Sequence, residues 1–195
     1  MLSWDALPDS PLKPAADITQ AFLNLGIRNY RAAARYLNRL PYGRTTSRID
    51  TLAVLREGRG TCSTKHALLK QLGAEQSIDI ELLIGIYEMT ARNTPGVGRV
   101  LDKYGLDYVP EAHCYLRYRG ERVDVTRELK DRPAPAIARF LHEEEIAAEQ
   151  IGAYKVELHQ RFIRAWIGAN LETVGGRTFE EIWRIREECI AALST

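Results

Sequence analysis

Apolar positions recur at helical spacing soon after the chain begins. Ile18, Phe22 and Leu25 share one face, and Tyr30, Ala33, Ala34 and Leu37 continue the pattern to about Leu40. Gly26 divides this run into two pieces, and Pro41 ends it. "PYGRTTS" reads as a loop, followed by a short helix over about 50–57. A further helix is expected from Cys62 to Leu72, closed by Gly73. "IDIELLIGIYEM", residues 78–89, is rich in Ile and Leu and short enough for a buried strand. "TARNTPGVGR" reads as a loop. Residues 112–118 and 121–126 read as two strands joined through Arg119-Gly120, a hairpin signal.

After "DRPAPA" the pattern is helical to the end, with helices expected over about 134–148, 149–168 and 178–193. Thr178 and Glu181 make a capping box before the last of these, whose Ile182, Ile185 and Cys189 share a face. The succession predicts an α+β protein in three parts. An irregular Pro-rich arm covers 1–16, and a core covers 17–132, with an antiparallel sheet packed against helices. A helical C-terminal extension over 133–195 packs on that core.

The 195 residues are enough for one sizeable core. Lys and Arg number 27 against 26 acids, so no overall electrostatic case for nucleic acid arises. No apolar run approaches a membrane span. "MLSWDALPDSPLKPAAD" carries acids and three prolines and no apolar signal core, so no export signal is expected. Three widely spaced cysteines do not make a disulfide framework, and a reduced, cytoplasmic protein is expected.

Chemistry concentrates in two stretches. In "GRGTCSTKHALL", Cys62 stands where a helix is expected to begin, and unpaired N–H groups there favour a thiolate. In "EAHCYLRYRGERVDVT", a two-residue turn at Arg119-Gly120 pairs Tyr118 with Glu121 and Tyr115 with Asp124. His113 and Asp124 become diagonal neighbours on one face, about 7–8 Å apart along the backbone. A carboxylate beside an imidazole fixes its tautomer and supports the imidazolium. Cys114 faces away on the same strand and reads as core, as does Cys189. His142 and His159 lie among charges and read as solvated. Trp166 and Trp183 read as packing. "HEEE" at 142–145 lacks the spacing of a zinc peptidase motif.

The ordered set "LREGRGTCSTKHALLKQL", "AHCYLRY" and "RVDVT" resembles the transglutaminase-like superfamily of papain-like cysteine enzymes, over about residues 17–127. The resemblance implies a papain-like core without a cofactor. It implies Cys62 as nucleophile, His113 as acid/base and Asp124 as the orienting acid of a thiol-dependent acyl transfer. Its substrate would be a peptide, an amide or a small acyl compound. It further implies an oxyanion hole built from the Cys62 N–H and an upstream donor, for which Tyr42 is the candidate. Where the family has a small residue four positions after the cysteine, this chain has His66. That imidazole could tune the thiol, contact substrate, act as the base or simply pack. Two other readings stand beside the enzyme: a zinc site at Cys62, His66 and His113, and a non-catalytic interaction module that uses the C-terminal helices.

Overall fold

The computed structural model describes residues 3–129, 132–133 and 136–193. The helical run that opens the chain forms two helices, α1 (Asp17–Asn24) and α2 (Tyr30–Arg39). Gly26 separates them with φ at 77°, a left-handed conformation, and the Asn29 side chain caps α2 by accepting from the Ala32 N–H. There follow α3 (Ala53–Glu57), α4 (Cys62–Glu75), β1 (Glu81–Met89), α5 (Gly98–Tyr104), β2 (Val109–Tyr118) and β3 (Glu121–Val123). A two-residue pair, β4 (Glu128–Leu129) and β5 (Arg132–Pro133), leads to β6 (His142–Glu145). Helices α6 (Ala153–Ala169), α7 (Leu171–Val174) and α8 (Phe179–Ala191) close the fold.

The protein is α+β, with an antiparallel four-stranded sheet in the order β3-β2-β1-β6. Arg119 and Gly120 both take positive φ, as a two-residue hairpin turn requires, and Tyr118 pairs with Glu121 as expected. Strand alternation then sorts the side chains. Leu82, Ile84 and Ile86 of β1 join Ala112, Cys114 and Leu116 of β2 in the core that α4 covers with Leu68, Leu69 and Leu72. His113, Tyr115 and Arg117 point the other way. On that side Gly85 pairs with His113, and a Cβ at Gly85 would overlap the Phe140 ring. Phe140 fills the slot and stacks on Tyr115 at 5.1 Å. A second apolar cluster joins Leu101, Val109, Ile163, Trp166, Ile182, Ile185 and Cys189, and so seats α6 and α8 on α5 and one end of the sheet.

Three expectations are corrected. Gly73 does not end its helix, which runs on to Glu75. The missing Cβ instead lets Ile80 and the Tyr30 hydroxyl approach the helix. The supposed loop around "TPGVGR" leads into a helix, α5, which begins at Gly98 and stops at the left-handed Gly105. Residues 136–147 are not a helix: β6 lies there and pairs with β1, so the C-terminal segment contributes an edge to the core sheet. The start of that expected helix, 134–135, falls outside the described residues. The N-terminal arm is also less open than its prolines imply. Trp4, Leu7 and Leu12 are buried in the core. Among the described residues, no helix is long and apolar enough to cross a membrane.

Candidate active site

Cys62 is the first residue of α4. Thr61 precedes it as N-cap, accepting from the Thr64 N–H, while the Thr64 hydroxyl accepts from the Thr61 N–H. This reciprocal cap fixes the start of the helix and leaves the first-turn N–H groups, Cys62's among them, without intrahelical partners. Gly60 allows the close turn: a Cβ there would crowd Lys65 and Thr64.

The first turn of α4 also holds the segment that follows β3. Lys65 is fully buried and donates to the carbonyls of Leu40 and Thr126 at 2.6 and 2.7 Å. His66 is equally buried. Its Nε2 accepts from the Val125 N–H at 2.8 Å, so Nδ1 carries the proton and donates to the Cys62 carbonyl at 2.7 Å. Burial, against the pull of Asp124, brings His66 down to about 4. His66 is therefore a neutral clamp between the nucleophile's helix and the strand end. With both ring nitrogens engaged, it offers no lone pair to a zinc ion shared with Cys62 and His113. No group of three or more potential metal ligands occurs among the described residues.

Asp124 lies one residue beyond β3, held by the clamp and by the Thr126 N–H on its Oδ1 at 2.8 Å. Its Oδ2 is 2.7 Å from His113 Nε2. Asp124 thus occupies Nε2, and Nδ1 is the ring nitrogen left for any other partner. Burial disfavours charge on each of the three groups, and their neighbours outweigh it. Asp124 is held far below the carboxylate range, chiefly by the charge of His113. His113 is raised to about 10 by the charge and hydrogen bond of Asp124 and by Cys62. Cys62 is lowered to about 6 by the charge of Lys155, by hydrogen bonding and charge from His113, and by the Cys114 N–H. Cys62, His113 and Asp124 thus stand in one cluster, in which the charged forms of all three support one another.

Tyr42 reaches the same place by another route. It bridges to Gly60 in parallel fashion and lines the cavity in front of Cys62. Burial, reinforced by Cys62, raises its hydroxyl well above the ordinary range and keeps it a neutral donor. Cys114 and Cys189 are fully buried, and burial raises them to about 11 and about 12. His142 is half-buried on β6, but His159 departs from expectation: it is buried and donates Nε2–H to the Pro110 carbonyl at 2.8 Å. Trp183 packs against that imidazole at 5.2 Å and lines the cavity as well.

Two concavities, without a lining residue in common, are lined by members of the cluster. One, of about 460 Å³, reaches Cys62 between α4 and the C-terminal helices, past Tyr42, Lys155, His159 and Trp183. The other, of about 580 Å³, is lined by His113 and Asp124 together with Tyr115 and Phe140. Four residues of the first cavity escape a sequence reading: Glu111, Lys155, His159 and Arg186. Arg186 of α8 donates Nε and Nη2 to the two oxygens of Glu111 at 2.6 and 2.5 Å, and both are buried. Lys155 and His159 carried a usable signal. They stand at helical spacing with Phe162, Ile163 and Trp166, polar residues on a stripe that is otherwise apolar.

Compared with protein families, with curated proteins and with solved structures, the chain has no match.

Proposed function

We propose that the protein is a thiol-dependent acyl-transfer enzyme with a transglutaminase-like, papain-like core. Cys62 is its nucleophile, His113 its acid/base and Asp124 the orienting carboxylate. The observation that carries this reading is the 2.7 Å contact of Asp124 with His113 Nε2, on an imidazole near enough to the Cys62 thiol at the start of α4 to lower it. In the first step the Cys62 thiolate attacks an amide or ester carbonyl carbon, and the π electrons move onto oxygen. The Cys62 N–H and the Tyr42 hydroxyl are the donors for that oxyanion. Collapse of the tetrahedral species breaks the bond to the leaving group, which takes the proton from His113. Water or an amine then gives His113 a proton, attacks the thioester and expels the thiolate. The chemistry uses no metal or cofactor. Peptides, amides and small acyl compounds are the substrate class, and the three unpaired cysteines accord with a reducing cytoplasm.

The test is a burst experiment with an activated acetyl ester. Wild type is expected to release one equivalent of alcohol rapidly and to carry the acetyl group on the Cys62 peptide by mass spectrometry. Cys62→Ala is expected to do neither. Turnover should need thiolate and imidazolium together, so kcat/KM rises through a limb near pH 6 and falls through a limb near pH 10. Acetylation spread over lysines, with none on Cys62, would defeat the reading.

A further inference from the structure

Lys155 sits on α6, 93 residues from Cys62 in sequence, and its ammonium is buried beside the thiol. Nζ donates to Ser63 Oγ at 2.6 Å and lies 3.7 Å from Cys62 Sγ. Burying an ammonium is costly unless an anion answers it. Among the described residues, no carboxylate forms an ion pair with Lys155. Glu111, across the cavity, is taken up by the two-point contact from Arg186. Cys114, the other thiol near Lys155, is pushed up by burial and stays neutral. Ser63 offers a dipole and no charge. The Cys62 sulfur, 3.7 Å away, is therefore the group in contact with Nζ that can carry the answering charge, and Glu111 adds to it from farther off.

Cys62 and Lys155 line the same cavity, so a reactant that enters between α4 and α6 meets the sulfur with Lys155 alongside it. Resting on the reading of Cys62 as nucleophile, we propose that Lys155 is a catalytic residue: it is the counter-ion of the Cys62 thiolate, and the C-terminal helices thereby complete the active site. No proton leaves Lys155 in this role. The ammonium stabilises sulfur's negative charge before attack. As that charge passes to the carbonyl oxygen, Nζ remains close enough to follow it with a hydrogen bond. The groups around the sulfur are Lys155 from α6, Lys65 of α4 itself, His113 and Cys114 from β2, Tyr42 ahead of α3 and Tyr87 of β1. Glu111 and Arg186 stand beyond them.

The test reads thiol ionisation and not turnover, so it is separate from the test of acyl transfer. Iodoacetamide labelling of the full chain would be followed at Cys62 across pH by mass spectrometry. Wild type, Lys155→Met, Lys155→Arg and Ser63→Ala would be compared, each checked for a wild-type circular dichroism spectrum. Removing a positive charge this close should raise the midpoint of fast labelling by about one unit or more in Lys155→Met. Lys155→Arg keeps the charge and should stay near wild type, whereas damage to packing would affect both variants alike. If Lys155→Met does not fold, Ser63→Ala decides the matter. It removes the hydroxyl that seats Nζ and should raise the midpoint in the same direction by a smaller amount. An unmoved midpoint in folded Lys155→Met, or in Ser63→Ala where Lys155→Met does not fold, overturns the role of Lys155. A wild-type midpoint near the free-thiol value of about 8.5 would overturn the nucleophile reading itself.

Discussion

At the scale of single residues, His66 shows how a side chain next to the chemistry serves it without joining it. Its neutral ring ties the Cys62 carbonyl to the Val125 N–H, so protonation breaks the acceptor half of the clamp. A histidine whose folded pKa is depressed contributes stability that is complete above its unfolded value. That contribution is lost as pH falls from about 6.5 through about 4. The shift corresponds to about 3 kcal/mol over that window. Urea denaturation at closely spaced pH values should show this loss in wild type. His66→Gln should be less stable at pH 7 and flatter between pH 6.5 and 4. Glu111 and Asp124 are depressed acids whose losses come below their unfolded values near 4, outside this window. The positions of Cys62, His113 and Asp124 were legible in the sequence because a helix start and a hairpin register are local rules. Lys155 and Glu111 were not. A single lysine on a largely apolar helix stripe and an acid in a strand become partners of the site only when distant elements pack together.

At the scale of elements, the glycines separate tight places from open ones. Gly85 lies on β1 opposite His113, under the Phe140 ring, where even a methyl group has no room. Gly85→Ala should cost about 1–3 kcal/mol by thermal or chemical denaturation, the usual range for overpacking. Gly168 lies within α6 with nothing near its missing Cβ, and Gly168→Ala should stabilise by up to about 1 kcal/mol. The reverse order would contradict this packing. Elements set by local signals were read correctly: the break at Gly26, the turn at Arg119-Gly120 and the capping box at Thr178, whose hydroxyl accepts from the Glu181 N–H. Elements set by partners were not. "HEEEIAAEQ" has the composition of a helix, but β1 has a free edge there, and pairing overrides intrinsic preference in His142–Glu145. Helix α5 was missed because Pro95, Gly96 and Gly98 at its start outweigh the short apolar pattern that follows.

At the scale of the whole molecule, the buried Glu111–Arg186 pair fastens α8 to β2 and so holds one wall of the Cys62 cavity. Breaking a buried pair strands a charge, whereas replacing both partners need not. Arg186→Met should therefore cost about 3–5 kcal/mol in chemical denaturation, and Arg186→Met with Glu111→Leu should recover much of it. Equal costs for the single and double variants would mean that the pair fixes packing and not charge. The sheet has a different arrangement at its outer edges. β3 is only three residues long, and β6 carries exposed Glu143 and Glu145 beside His142 and Glu144. A second copy laid antiparallel along β6 would set acid beside acid, with Arg117 and Arg122 already turned inward to Glu143. The run that completes the fold on its inner side thus repels other chains on its outer side. Strand-to-strand aggregation along this edge is thereby opposed.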